Sequence, residues 1–320
     1  MDTILFRFLE KQNLFEMNRR NFTKLVSASS LGVISGSSVL ADTDQSNLKA
    51  PFKLNYAPHL GMFSHHAGND PIDQLNFMAD QGFRAFEDND MRNRDVVLQK
   101  KIAETMIRRN LKMGVFVAHK IYWQKPNLAN GDKKMRNEFL NYIKKAIPVA
   151  KRVNAKWVTV VPGHVDLKQN MAYQTANVIE SLKQAAGLLE PHGIVMVLEP
   201  LNFRDHPGLF LTESPQAYEV CKSVNSPSCK ILFDIYHQQI QEGNLIPNIE
   251  KCWSEIGYFQ IGDNPGRKEP TTGEINYKNV FKFINQKGYN GILGMEHGNS
   301  KTGKAGEIDL IKAYRNVDQI

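Results

Sequence analysis

Four short apolar runs in the second half of the chain each stop at an oxygen-bearing side chain. Gly193-Ile-Val-Met-Val-Leu ends in Glu199, Lys230-Ile-Leu-Phe in Asp234, Gly257-Tyr-Phe in Gln260, and Gly291-Ile-Leu-Gly-Met in Glu296. Runs of this length suit strands buried on both faces and are too short for independent helices. A carboxylate at the end of such a run marks the point where a parallel strand leaves the core. If the strands are parallel neighbours, Glu199, Asp234, Gln260 and Glu296 converge, and hard oxygen donors that converge suit Mg²⁺ or Mn²⁺.

The same alternation of apolar run and amphipathic stretch covers the rest of the chain. Strands are expected at Phe52–Pro58, Phe83–Glu87, Leu111–Ala118, Lys156–Val161, Ile194–Glu199, Lys230–Asp234, Tyr258–Ile261 and Gly291–Glu296. Helices are expected at Pro71–Gln81, Arg94–Asn110, Lys134–Val153, Asn170–His192, Ser214–Val224, around Ile246–Ile256, Tyr277–Lys287 and Gly306–Tyr314. Glycines at Gly82, Gly193 and Gly288 mark helix ends. Eight strand-helix units fit an α/β fold of the (β/α)₈ TIM-barrel type, a single domain over residues 51–320, in which function lies at the C-terminal strand ends. A doubly wound sheet is disfavoured, because no Gly-x-Gly-x-x-Gly follows the first strand.

At the front, Arg19-Arg20-Asn-Phe22 precedes a weakly apolar, Ser- and Gly-rich run from Leu25 to Leu40. The pattern is expected to be a twin-arginine export signal over residues 1–41, with a linker at 42–50 and a periplasmic product; the alternative is an amphipathic first helix of a cytoplasmic protein. The net charge of +7 is spread over many helices rather than gathered in a basic block with aromatics, which argues against nucleic acid as a partner. No stretch after the signal suits a membrane span, and homo-oligomerisation stays open. Three cysteines without Cys-x-x-Cys spacing exclude zinc-knuckle and thioredoxin-type readings.

Glu199 and Glu296 end the fifth and eighth expected strands and so approach the barrel mouth from different sides. One carboxylate can remove a proton from a carbon beside a carbonyl while the other returns it, and a metal polarising the substrate oxygens stabilises the enediolate. Three clustered carboxylates repel one another, which is a reason to expect a cation among them. His237, three residues past Asp234, is expected on a loop over the mouth, donating to a substrate oxygen. Arg267 is expected to hold a carboxylate or enediolate. Asp205 could reach a sugar hydroxyl, and His119 and His164 follow strands and would face the mouth. His65-His66 could form a wall, and Tyr122 and Trp123 could cover the apolar face of a sugar.

These residues carry a resemblance. Leu198-Glu199-Pro-Leu-Asn202 with Asp205 and Pro207-Gly208, Phe233-Asp234-Ile-Tyr-His237-Gln, Gln260-Ile-Gly-Asp263-Asn-Pro-Gly-Arg267 and the Gly288-Tyr289-x-Gly291…Glu296 run resemble the hydroxypyruvate isomerase group of the xylose-isomerase-like barrels. The likeness is strong over residues 190–297 and architectural before them. It implies one divalent metal on Glu199, Asp234, Gln260 and Glu296, with the two glutamates exchanging the proton. His237 and Arg267 match substrate-binding positions of the related ketose 3-epimerases, in which a His usually stands in place of Gln260. The expected substrate is a small hydroxy-keto acid or sugar. The alternatives are an exported keto-sugar epimerase, a phosphodiester-cleaving barrel and a non-catalytic sugar-binding barrel.

Overall fold

The computed structural model describes residues 50–320, so the expected export signal and all of the linker but its last residue lie outside the described residues. The described residues fall within one compact unit. Among the described residues eight parallel strands are present: β1 (Asn55–Ala57), β2 (Ala85–Phe86), β3 (Lys112–Met113), β4 (Trp157–Val160), β5 (Val195–Leu198), β6 (Cys229–Asp234), β7 (Ile256–Gln260) and β8 (Ile292–Gly294). Six of them form a sheet in the order β1-β8-β7-β6-β5-β4, and β2 pairs with β3. Single parallel bridges close the ring on either side of that pair. One joins His59 to Glu87, beyond β1 and β2, and the other joins Val117 to Thr159, between β3 and β4. The expected barrel is therefore observed, with its weakest seams flanking β2 and β3.

Helices follow the strands as the apolar periodicity requires. Several N-termini are capped by side chains that satisfy otherwise unpaired amides: Asp70 for Pro71–Asp80, Asp95 for Val96–Arg109, Asp132 for Lys133–Arg152 and Asn170 for Met171–Leu189. Ring closure is reinforced at the far end of the chain, where the Asp318 carboxylate accepts from the amides of Lys53 (2.7 Å) and Leu54 (3.2 Å) and from the Tyr56 hydroxyl (3.1 Å). This ties the last helix, Gly303–Val317, to the first strand. Among the described residues, no helix is long and apolar enough to cross a membrane.

The barrel interior explains where the site sits. Ala57, Ala85, Val115, Val197, Leu232, Tyr258 and Ile292 pack together as a separate buried cluster inside the ring. Side chains along a strand alternate between faces, so residues two positions further on also point inward, one layer nearer the C-terminal mouth. From Ala57, Ala85, Val197, Leu232 and Tyr258 that step gives His59, Glu87, Glu199, Asp234 and Gln260. From Ile292 it gives Gly294, and two residues later Glu296. The floor of the site is thus an apolar plug, and the polar layer above it is fixed by strand register rather than by loop conformation.

Candidate active site

Asp234 ends β6 and caps the helix Ile235–Gln241 that follows at once, its Oδ1 accepting from the amides of Tyr236 (2.8 Å) and His237 (3.3 Å). His237 was expected on a loop; it stands instead in the first turn of this helix and is fully buried. The helix is seven residues long, too short to leave a clear amphipathic period in the sequence. Asp234 Oδ2 faces the centre and receives Arg267 Nη2 at 3.0 Å. The same Nη2 donates to Glu296 Oε2 at 2.7 Å, and Arg267 Nε donates to the Glu296 carbonyl at 3.0 Å. Arg267 lies over the Tyr236 ring, 4.9 Å from its centroid, and takes a left-handed backbone with φ 50. A non-glycine residue held there stores backbone strain, which clusters at functional sites.

The carboxyls respond to this crowding. Glu199 is pushed well above the usual carboxylate range, first by burial and then by the charges of Glu296 and Asp234. Glu296 is raised to about 7, first by burial, with Arg267 opposing and Asp234 and Glu87 adding to the rise. Burial alone would weaken Arg267's hold on its proton, but Asp234, Glu296 and Glu199 outweigh it and the net shift is upward. When all three carboxyls are ionised they exceed the one guanidinium by two negative charges, which a single divalent cation would balance.

One ligand atom each from Glu199, Asp234 and His237 lies within 4.8 Å of the others. The imidazole is nevertheless a poor metal ligand here. Its Nδ1 faces two donors, Asn202 Nδ2 at 2.7 Å and the Asn202 amide at 3.3 Å. The orientation of the Asn202 side chain is set by its Oδ1, which accepts from the amides of Arg204 (3.0 Å) and Asp205 (2.9 Å). Nδ1 is thus the acceptor and Nε2 carries the hydrogen, an assignment drawn from the hydrogen-bond network. Burial, its largest influence, holds the His237 pKa down at about 4, so the ring is neutral. Nε2 is buried without a hydrogen-bond partner, 3.7 Å from Asp234 Oδ2. It is an N–H donor aimed into the site, suited to a substrate oxygen.

Gln260 offers the better fourth ligand. Its Nε2 donates to Glu87 Oε1 at 2.8 Å, while its Oε1 is buried with no partner. Carboxylates such as Glu199, Asp234 and Glu296 and an amide oxygen such as this one are hard-oxygen donors of the kind Mg²⁺ or Mn²⁺ takes, and the orphaned oxygen beside clustered acids fits such an ion.

One further candidate, His119, plays a different part than expected. His119 is buried, with Nδ1 2.9 Å from the Lys120 carbonyl and Nε2 accepting from the Val161 amide at 3.2 Å. Both nitrogens are committed to backbone, which leaves His119 nothing to offer a substrate. It fastens β3 to β4 instead. Asp205, exposed at the rim, accepts from Asn202 Nδ2 and from the Tyr236 hydroxyl, both at 3.0 Å, so it braces the residues around His237. His164 is likewise tied to backbone, with Nδ1 2.8 Å from the Val165 carbonyl. Trp123 is exposed and stacks on His206, with centroids 5.0 Å apart. The sequence reading passed over Glu87 and Asn89. Asn89 Nδ2 donates to Glu296 Oε1 at 2.6 Å, so both oxygens of Glu296 are held. The signal for Glu87 was present: Phe83-Arg-Ala-Phe-Glu87 is another run that stops at a carboxylate.

A cavity of about 620 Å³ opens beside this layer, lined by His59, Asn89, Arg267, Glu296, His297 and Lys301 among others.

The model of the xylose isomerase-like TIM barrel family matches residues 75–316. The chain belongs to that family. Within the xylose isomerase-like barrels, it is similar to hydroxypyruvate isomerase of Escherichia coli (strain K12), 37% identical over 169 residues that make up 53% of this chain and 66% of that enzyme. It is also similar to 2-oxo-tetronate isomerase of Cupriavidus necator, 31% identical over 177 residues, 55% of this chain and 68% of that enzyme. The aligned stretch thus spans just under two thirds of the Escherichia coli enzyme's own length. Among solved structures, AP endonuclease, family 2 from Brucella melitensis superposes with a TM-score of 0.70 at 26% identity, covering 79% of this chain and 96% of that one.

The raised carboxyl of Glu296 sets a pH dependence of stability. Folded, Glu296 keeps its proton up to about pH 7, whereas the ordinary value for an unfolded chain is 4.5. The folded state therefore binds more protons between these values, and stability falls as pH rises. The contribution is fully present below about pH 4.5 and is lost through about pH 7. It is on the order of 2–3 kcal/mol, trimmed because the side chain keeps 22% of its surface open to solvent. Urea midpoints of the chelated wild type and E296Q across this range should diverge, with only the wild type losing this increment. Parallel curves would overturn the assignment.

Proposed function

We propose that this chain is a divalent-metal-dependent isomerase of a small hydroxy-keto acid or sugar, working through an enediolate. The observation that carries the reading is a pair of glutamates, Glu199 buried and Glu296 half-buried, in one layer with Asp234 and the orphaned oxygen of Gln260. The relatives named hydroxypyruvate isomerase and 2-oxo-tetronate isomerase support it. A divalent cation held by Glu199, Asp234, Gln260 and Glu296 would supply positive charge against the developing enediolate oxygens.

The residues of the chain do the rest. One glutamate in its carboxylate form takes the proton from the carbon beside the carbonyl. The other, in its acid form, gives a proton to the adjacent carbon. The hydroxyl proton passes between the two substrate oxygens, so the carbonyl moves one carbon along with no oxidant or reductant. Glu296, with both carboxyl oxygens held by Asn89 and Arg267, is fixed in place for either half of the exchange. His237 Nε2–H donates to a substrate oxygen, and Arg267 steadies Glu296 and Asp234 while offering its remaining N–H groups to an anionic substrate.

A keto-sugar epimerase is the second reading, favoured by the cavity. About 620 Å³ lies within the range of roughly 300–1,000 Å³ that accepts ligands of drug size, far more than a three-carbon acid needs. Phosphodiester cleavage is less well supported, because only one cluster of candidate metal-ligating residues occurs among the described residues. The proposal includes export through the leader around Arg19-Arg20.

The test is a panel of hydroxypyruvate, four-carbon keto acids and keto-sugars incubated in deuterated water with Mn²⁺. Deuterium should enter the former carbonyl carbon of each true substrate, now a carbinol carbon of the product, at the rate of turnover. Conversion of any panel member without uptake of solvent label, or no conversion of any, would sink the enediolate reading.

A further inference from the structure

Glu87 directly follows β2 and has no solvent exposure. The barrel has been cleared to house it. A Cβ at Gly294 of β8 would stand 1.9 Å from Glu87 Oε2, and one at Gly114 would come within 2.5 Å of the Tyr258 hydroxyl and 3.2 Å of Glu87 Cβ. Three donors converge on the carboxylate from other strands. The Tyr258 hydroxyl reaches Oε2 at 2.6 Å, while His59 Nε2 and Gln260 Nε2 both reach Oε1 at 2.8 Å. A carboxylate so held has little freedom to turn.

Its effect falls on Gln260. An amide side chain can rotate end for end at small steric cost, and its two ends have opposite hydrogen-bonding character. With Glu87 at one end, only the N–H₂ group can face the carboxylate, because an amide oxygen there would meet another acceptor. The other end, Oε1, is then turned away from Glu87, and it is buried without a partner.

We infer that Glu87 is a positioning residue that locks the Gln260 amide with its oxygen toward the site, converting an ambivalent side chain into a fourth hard-oxygen ligand for a divalent cation. The inference rests on the reading of the layer as a metal site. Groups behind a ligand commonly set its orientation, and removing one costs roughly 10–100-fold in metal affinity.

The experiment is a double-mutant cycle read by calorimetric titration of Mn²⁺ into the full chain, with thermal midpoints recorded for every variant. E87Q keeps the shape of the side chain but can present either an N–H₂ or an oxygen to Gln260, so Mn²⁺ binding should weaken roughly 10–100-fold. In the Q260E background the sign should reverse. Either end of the introduced carboxylate presents an oxygen, Glu87 now opposes it with like charge, and E87Q relieves that repulsion and should tighten Mn²⁺ binding. A residue that only supports the fold would shift affinity in the same direction in both backgrounds. If E87Q alone fails to fold, the comparison of Q260E with E87Q/Q260E still decides, since equal or weaker binding by the double variant overturns the inference. Wild type that binds Mn²⁺ with E87Q unchanged overturns it alone. Wild type that takes up no Mn²⁺ overturns the metal reading together with it.

Discussion

Replacing Glu296 with Gln should lower kcat by roughly 10²–10⁴-fold, the contribution of a positioned acid or base. The substitution is nearly isosteric. The new amide oxygen can still accept from Asn89 Nδ2, now 2.6 Å from Glu296 Oε1, and can still face a cation. What it cannot do is carry a proton to or from carbon. Because one negative charge is lost and the amide N–H₂ confronts Arg267 Nη2, now 2.7 Å from Glu296 Oε2, Mn²⁺ should bind more weakly, by at least ~10-fold, without binding being abolished. Steady-state kinetics at saturating Mn²⁺ separate the two effects, since only the chemical defect persists there. Retention of more than about a tenth of the rate would remove Glu296 from the proton transfer.

Exhaustive chelation should abolish both turnover and exchange of the substrate's carbon-bound proton, and Mn²⁺ or Mg²⁺ should restore both. The argument is electrostatic. Without a cation, Glu199, Asp234 and Glu296 face one another across a layer closed below by apolar side chains, and Arg267 supplies one positive charge to that group. The layer then lowers its charge by keeping protons on Glu199 and Glu296, and a protonated glutamate is no base. A divalent ion restores the carboxylate form of at least one of them and opposes charge on the enediolate. An oxygen donor set favours Mn²⁺ and Mg²⁺ over softer ions. Full activity in a chain stripped of metal would leave the two glutamates without this role.

The fold was legible because period and punctuation agree along the chain, and because four of the site side chains each terminate an apolar run. Alternation along a strand then carries them to the same face without any knowledge of contacts. What stayed hidden depends on separation. Glu87 meets Tyr258 and Gln260 across 171 and 173 residues, and the two glycines that make room for it look like ordinary strand glycines in the sequence. His119 looked like its neighbours because it too follows a strand. Its role as a fastener appears only when the Val161 amide is seen opposite it. His237 was placed near Asp234 correctly in sequence terms, but which of its nitrogens is free is decided by Asn202, 35 residues earlier. The stretch around Arg19-Arg20, expected to be an export signal, lies outside the described residues.

The seams beside β2 and β3 bear on how this barrel can diversify. Those two staves are joined to the rest of the ring by one bridge on each side, so backbone pairing alone would let them splay. Glu87 works as a cross-brace over that gap, binding the rim of β1 and the far wall of β7 through side chains rather than main chain. The width of the mouth is thereby set below the loops. Lengthening or recolouring the loops above can then change which molecule enters while the spacing of the reacting groups stays constant.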